Sequence, residues 1–269
     1  MSDGKVLTEI DPRGCATVTL NRPDRGNALD PAMLTSLRDT LAVLRDRAEV
    51  RVVVLRGAGR HFCSGMDVSV IKPAGVLVQG PDVGTVCLLL DELSKPVVGV
   101  VQGAAIGAGC ALVACCDVAI AVTEASFAIP EVRLGLAPSG LTPFFLRALG
   151  HRQLRRYMLS GERMAADRAA ALGLVHEVCP ADAIEAKVSE IVDGLLRAAP
   201  NALVISKAAI AKLSVGPIDQ QLLTDLESQF ARNAAGPEAQ EGKASFREKR
   251  SPSWYNAAFL NARTAPQGD

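Results

Sequence analysis

Short apolar runs alternate with amphipathic stretches through the first half of this chain. Cys15-Ala16-Thr17-Val18-Thr19-Leu20 alternates with period two, which predicts a strand with one buried face. Residues 21–27 (Asn-Arg-Pro-Asp-Arg-Gly-Asn) form a turn-rich loop. Asp30 followed by Pro31 predicts a capped helix start, and Met33, Leu34, Leu37, Leu41 and Leu44 recur at helical spacing to about Arg47. Val52 to Leu55, between Arg51 and Arg56, is an unbroken apolar run of strand length that Gly57 closes. A glycine-containing loop over 57–67 follows, then a Pro/Gly/Val-rich stretch at 72–84 that reads as a variable loop. Residues 85–94 predict a helix, Pro96 to Val101 a buried strand and Cys110 to Cys116 a buried helix, with a small-residue turn at 102–109 between the last two. Further strands are expected over 117–122 and 125–129.

Strand, loop and helix thus recur in the first half without any sequence repeat of fixed period, which excludes a solenoid. From about residue 143 the pattern is mainly helical. Residues 165–173 predict a helix ending at Gly173, 174–178 a short strand, 182–198 and 201–213 two amphipathic helices, and 219–249 a last helical region. A boundary near Pro200 divides a mixed α/β core, 1–200, from a helical end, 201–269.

Composition narrows the function classes. At 269 residues the chain can bury a sizeable core, and with 49% hydrophobic but only 4% aromatic residues that core is built of Ala, Val, Leu and Ile. Lys+Arg and Asp+Glu are both 29, so no net field points to nucleic acid. The seven cysteines lie mostly in apolar runs without a C-x-x-C pair, as expected of reduced thiols in a cytoplasmic protein. No signal-peptide pattern opens the sequence and no apolar run is long enough for a bilayer. His61, His151 and His176 lack metal-ligand spacing, so no metal is expected.

The chemistry concentrates at Gln102-Gly103-Ala104-Ala105-Ile106-Gly107-Ala108-Gly109-Cys110. A small-residue turn opening a helix leaves backbone N–H groups unpaired, and such groups bind anions or stabilise a developing oxyanion. Glu131 is a nearby downstream carboxylate able to move a proton. The glycines also suit a nicotinamide-dependent dehydrogenase, but the turn lies mid-chain and Tyr157 is followed by Gly161 where such an enzyme needs lysine.

Seven stretches, in order, resemble the crotonase superfamily (the enoyl-CoA hydratase/isomerase fold) over residues 6–253: Leu20 to Pro23 with Asn27 to Leu29, Arg60 to Asp67, Lys95 to Gly109, Phe127 to Glu131, Leu134 to Pro138, Leu159 to Arg163 with Gly173 to Val175, and Glu241-Gly242 with Phe246 to Arg250. The resemblance implies an α/β fold, a spiral of ββα units with a C-terminal helical trimerisation region, assembled as a homotrimer or as a hexamer that is a dimer of trimers. It implies an acyl-CoA thioester substrate and no separate cofactor, coenzyme A being part of the substrate. The amides of Met66 and Ala108 would hold the thioester oxygen as it becomes an enolate; losing one such donor costs about 3–4 kcal/mol in comparable sites. Glu131 would be the acid/base. Arg25 would meet the nucleotide phosphates, as would Lys249 and Arg250. Ala28, Ser64, Gly65, Asp67, Val68, Gly107 and Ala111 would line the rest of the substrate path.

The chain departs from the family pattern at one position. Typical hydratases of this family carry a first glutamate where Ala111 stands. Glu131 alone would then deliver water and proton in turn, or shuttle a proton between carbons. Glu131 to Pro138 followed by Leu141-Thr142-Pro143-Phe144 resembles the methylglutaconyl-CoA hydratase-like branch, with enzymes of leucine and isoprenoid catabolism, where that position is often small. This favours an enoyl-CoA hydratase; the alternatives are an isomerase, a crotonase-like decarboxylase or an idle acyl-CoA binder. Cys63 reads as packing rather than nucleophile, Asp117 as a holder of backbone, Arg147, Arg152, Arg155 and Arg156 as a structural ion-pairing face, and Arg133 as a candidate partner for a second substrate carboxylate.

Overall fold

A computed structural model describes residues 4–70, 81–213 and 218–255; most of the variable loop expected at 72–84 lies outside the described residues. The chain opens with β1 (Val6–Ile10), antiparallel to β2 (Cys15–Leu20) with Val6 opposite Leu20. Helix α1 (Pro31–Asp46) follows. Asp30 caps it by accepting a 2.7 Å hydrogen bond from Met33 N, and its five predicted apolar positions are all buried. Each such leucine contributes about 1.5–3 kcal/mol on leaving water.

The chain then winds through β3 (Val52–Gly57), α2 (Val83–Asp91), β4 (Val97–Val101), β5 (Ala104–Ile106), α3 (Ala108–Ala114), β6 (Val118–Val122), β7 (Ser126–Ala128) and α4 (Thr142–Ser160). After these come β8 (Met164–Ala165), α5 (Ala166–Ala171), β9 (Glu177–Cys179), α6 (Ile184–Arg197), α7 (Pro200–Leu213), α8 (Gln220–Ala235) and α9 (Pro237–Glu248).

Two sheets result. The larger has the order β1-β2-β3-β4-β6-β9, parallel from β2 onward, and the smaller the order β5-β7-β8. All five residues of β4 are buried, as an interior strand of a parallel sheet requires. Single bridges extend the second layer: Leu29 pairs with Met66 and Cys63 with Ala105, both in parallel. Each turn of the chain therefore lays one strand in the large sheet, a shorter extended segment in the second layer, and a helix. The turns are β2, Leu29, α1; β3, Cys63 to Met66, α2; β4, β5, α3; and β6, β7, α4. This is the expected ββα spiral.

Several boundaries differ from expectation for local reasons. β1 buries only Val6, so it carries no alternation to read. The predicted turn between β4 and α3 contains β5, whose Ala104 to Ile106 pair with Ser126 to Ala128. The strand expected at 174–178 pairs only at Glu177–Cys179, because Leu174 and Val175 are buried packing residues after α5. Gly150, at φ 69° and ψ 161°, breaks α4. The last helical region is split where Pro237 opens α9.

The C-terminal segments are tied to the core by cations. Lys207 of α7 reaches Asp117 at 2.7 Å, and Arg51 donates to the carbonyls of Trp254 and Ala198, both at 3.0 Å. Asp117 also accepts from Val97 N at 2.7 Å, the backbone-holding role expected of it. Among the described residues no helix is long and apolar enough to cross a membrane.

Candidate active site

Three successive turns of the spiral end their second-layer segments at one place. Met66 follows the Cys63 bridge, Gly107-Ala108 follows β5, and Pro130-Glu131 follows β7. The site is thus a product of the winding, which brings together residues far apart in the chain.

The amides of Met66 and Ala108 are oriented by their neighbours' bonds. Leu29 N donates to Gly65 O at 2.8 Å and Asp67 N to Leu29 O at 3.0 Å. That ladder turns the intervening Met66 N–H away from Leu29. Across the next bridge, Cys63 N donates to Ala104 O at 3.0 Å and Ile106 N to Cys63 O at 2.9 Å. The two segments nearly touch: a Cβ on Gly65 would lie 2.8 Å from Ile106 O and 3.7 Å from Ala108 N. The ladder of α3 starts only with Ala111 N donating to Gly107 O at 3.0 Å, so Ala108 N–H precedes it. Among the described residues neither amide donates to another backbone group. Two backbone donors without a backbone acceptor thus lie on adjacent segments. Gly109 must be small because a Cβ there would collide with the carbonyl oxygen of Cys63.

Glu131 opens a 3₁₀ turn, Glu131–Leu134, in which Arg133 N donates to Pro130 O at 2.9 Å. Its carboxylate rests on Gly107, where a Cβ would come within 2.6 Å of Oε1. Gly107 holds φ 53° and ψ −117°, a conformation that glycine adopts readily and L side chains do not. Glu131 Oε2 is buried and has no hydrogen-bond partner among the described residues. Burial pushes the Glu131 carboxyl above the ordinary glutamate range, offset in part by its own backbone amide. An acid/base group needs such a setting: a carboxyl short of partners, poised to take or give a proton.

Ala111, two positions beyond Gly109, is fully buried in α3 and brings no second carboxylate. Burial, and then the charge of Glu131, raise the neighbouring Cys110 thiol. Burial pushes the Cys63 thiol up to about 12, so it packs rather than attacks, as expected.

Sequence reasoning gave no role to Asn27 and Arg22, which shape the loop behind Met66. Asn27 is wholly buried at φ 58°. Its Nδ2 donates to Ala58 O at 2.9 Å and His61 O at 2.8 Å, while Oδ1 accepts from Arg22 N at 2.9 Å. Arg22 donates to Ala28 O at 2.7 Å and pairs with Asp30 at 3.1 Å and Asp67 at 3.3 Å. The one cue was a polar asparagine beside glycine in a turn-rich loop.

The remaining expected substrate residues fall into two groups. Ser64, Gly65, Asp67 and Val68 flank Met66 in the chain, and Arg25 and Ala28 lie in the loop before its bridge partner Leu29; Ser64 Oγ donates to Arg25 O at 3.3 Å, and the Arg25 side chain is exposed. Lys249 and Arg250 sit at the end of α9. Lys249 is exposed, whereas Arg250 grips Glu241 at 2.6 and 2.9 Å and Glu248 at 2.6 Å, so a phosphate would compete with two carboxylates for it. Arg133 donates to Ser160 O at 3.1 Å. Of the basic run in α4, Arg147 pairs with Asp91 at 2.7 Å and Arg156 with Glu162 at 2.6 Å. Among the described residues no group of three acidic, histidine or cysteine side chains is placed to hold a metal ion.

The ββα spiral thus brings the segments of Met66, Ala108 and Glu131 together. The chain belongs to the enoyl-CoA hydratase/isomerase family, whose model matches residues 11–257. It is 31% identical to the 2,3-dehydroadipyl-CoA hydratase of Escherichia coli, over 87% of this chain and 92% of that protein. It is 32% identical to the short-chain-enoyl-CoA hydratase of Clostridium acetobutylicum, with the same coverage of 87% and 92%. Among solved structures, Pseudomonas aeruginosa AtuE superposes with a TM-score of 0.87 at 37% identity, covering 94% of this chain and 100% of that one. An enoyl-CoA hydratase from Shewanella pealeana superposes with a TM-score of 0.86 at 32% identity, covering 93% and 96%.

Proposed function

We propose that this protein hydrates a 2-enoyl-CoA thioester with Glu131 as its single acid/base. The observation that carries the reading is the Glu131 carboxylate set against Gly107, with a buried Oε2 that has no hydrogen-bond partner among the described residues. In the forward reaction Glu131 accepts a proton from water as that water's oxygen bonds to C3. The C2–C3 double-bond pair moves toward the carbonyl, and the thioester oxygen becomes an enolate held by the Met66 and Ala108 amides. Glu131 then returns a proton to C2, leaving a 3-hydroxyacyl-CoA and the carboxylate regenerated. Fixed donors cost no reorganisation as the charge develops, which makes this the largest stabilising contribution.

The fully buried Ala111 gives a second reading its footing. One carboxyl that both removes and returns a proton also suffices for double-bond isomerisation. Incubation with crotonyl-CoA and with 3-methylglutaconyl-CoA, following loss of the enoyl-thioester absorbance, tests the proposal. Turnover that collapses in Glu131→Gln supports it; binding without turnover on either substrate contradicts hydration.

In this reading Arg25 meets the nucleotide phosphates, and residues 201–269 form the oligomerisation end of a trimer or a dimer of trimers. Exposed Phe230 and Phe246, at 72% and 84%, and an α8 without a buried residue support that assembly. That the seven cysteines form no disulfide supports a reducing, cytoplasmic setting.

A further inference from the structure

We propose that Arg133 is a positioning residue for catalysis, clamping the turn that carries Glu131 onto the C-terminal end of α4. The proposal rests on the reading of Glu131 as the acid/base.

Apolar packing does not hold this turn: none of Glu131–Leu134 is buried, and Leu134 is 63% exposed. Among the described residues two contacts tie it to neighbouring elements. On one side the Glu131 carboxylate lies against Gly107. Arg133 supplies the other: its Nε donates to Ser160 O at 3.1 Å, and its Cγ and Cδ lie 3.2 Å from where a Cβ on Gly161 would stand. The guanidinium stem thus crosses the bare backbone of Gly161, the left-handed residue that ends α4. Ser160 O is one of the last carbonyls of the helix, where the macrodipole attracts a cation.

The anchor point is itself firm. Tyr157, one turn earlier, is buried, accepts a 2.9 Å hydrogen bond from Arg168 Nε, and offers its carbonyl to Gly161 N at 3.0 Å. Ser160 Oγ accepts from Glu162 N at 3.2 Å. Arg133 therefore ties a loosely packed catalytic turn to a well-fixed helix end. With its Nε on Ser160 O, Arg133 supports the carboxyl's placement in preference to the substrate-carboxylate role raised from sequence.

Arg133→Ala and Arg133→Met are compared with wild type and Glu131→Gln on crotonyl-CoA; the methionine keeps a stem over Gly161 without the donor. Because small misplacements of a catalytic group are costly, kcat is expected to fall about tenfold in both variants with KM within about twofold. The acid limb of the kcat–pH profile should move down, as a freed carboxyl takes up water, and Arg133→Lys should recover most of the lost kcat. A raised KM at unchanged kcat, or no change, with Glu131→Gln inactive, would overturn the proposal while leaving Glu131 in its role. Wild-type activity in Glu131→Gln would overturn the reading of Glu131 and this proposal with it.

Discussion

Replacing Gly107 by alanine separates the two demands placed on that residue. Backbone strain comes first: at φ 53° and ψ −117° an alanine is disfavoured by about 2 kcal/mol. For a chain of this size that lowers the melting temperature by about 4–8 °C. Displacement comes second. The new Cβ would stand 2.6 Å from Glu131 Oε1, whereas ordinary contact begins near 3.4 Å, so the carboxylate must retreat by about 0.8 Å. A shift near 1 Å in a reacting group costs about 10²-fold, so kcat should fall by about 30- to 100-fold. Gly150→Ala is the control, because Gly150 has φ 69° and open space around its Cβ. It should lose comparable stability and keep its kcat. Thermal melts and steady-state kinetics on an enoyl-CoA read both effects. A Gly107→Ala enzyme with lowered melting temperature and wild-type kcat would refute the assignment of the carboxyl beside Gly107 to the reaction.

Other outcomes follow from the same geometry. Because burial raises the Glu131 carboxyl, its charged form destabilises the fold: the penalty is full above the raised pKa and absent below the pKa of the unfolded chain. Glu131→Gln should therefore melt higher than wild type near neutral pH, with the gain shrinking on acidification; equal melting at every pH would contradict it. For hydration Glu131 must start ionised, so kcat/KM should decline on acidification with a midpoint above the ordinary glutamate range. A midpoint at or below that range would point to another base. Asn27→Ala removes the donor to the half-buried Ala58 and His61 carbonyls and puts alanine in a left-handed conformation, and should destabilise by about 2–4 kcal/mol in denaturant titrations.

The amphipathic and buried elements were legible because their residues carry the period: α1 through Met33 to Leu44, β3 through Val52 to Leu55. β5 was hidden, since Ala104-Ala105-Ile106 is too short and too small to show alternation, and β1 was hidden because four of its five residues are not buried. The motif residues Met66, Ala108 and Glu131 could be picked from local chemistry and resemblance. Their meeting could not, because it depends on bridges such as Cys63 with Ala105 that no local pattern encodes. Arg133 was noticed but aimed at substrate, since its acceptor is a backbone carbonyl 27 positions away.

The central claim is tested most directly by running the reaction in heavy-oxygen water and weighing the product by mass spectrometry. A 2-enoyl-CoA that gains one labelled water in the wild type, and none in Glu131→Gln, is the predicted result. A product of unchanged mass with a shifted double bond, or label incorporation that persists in Glu131→Gln, would contradict it.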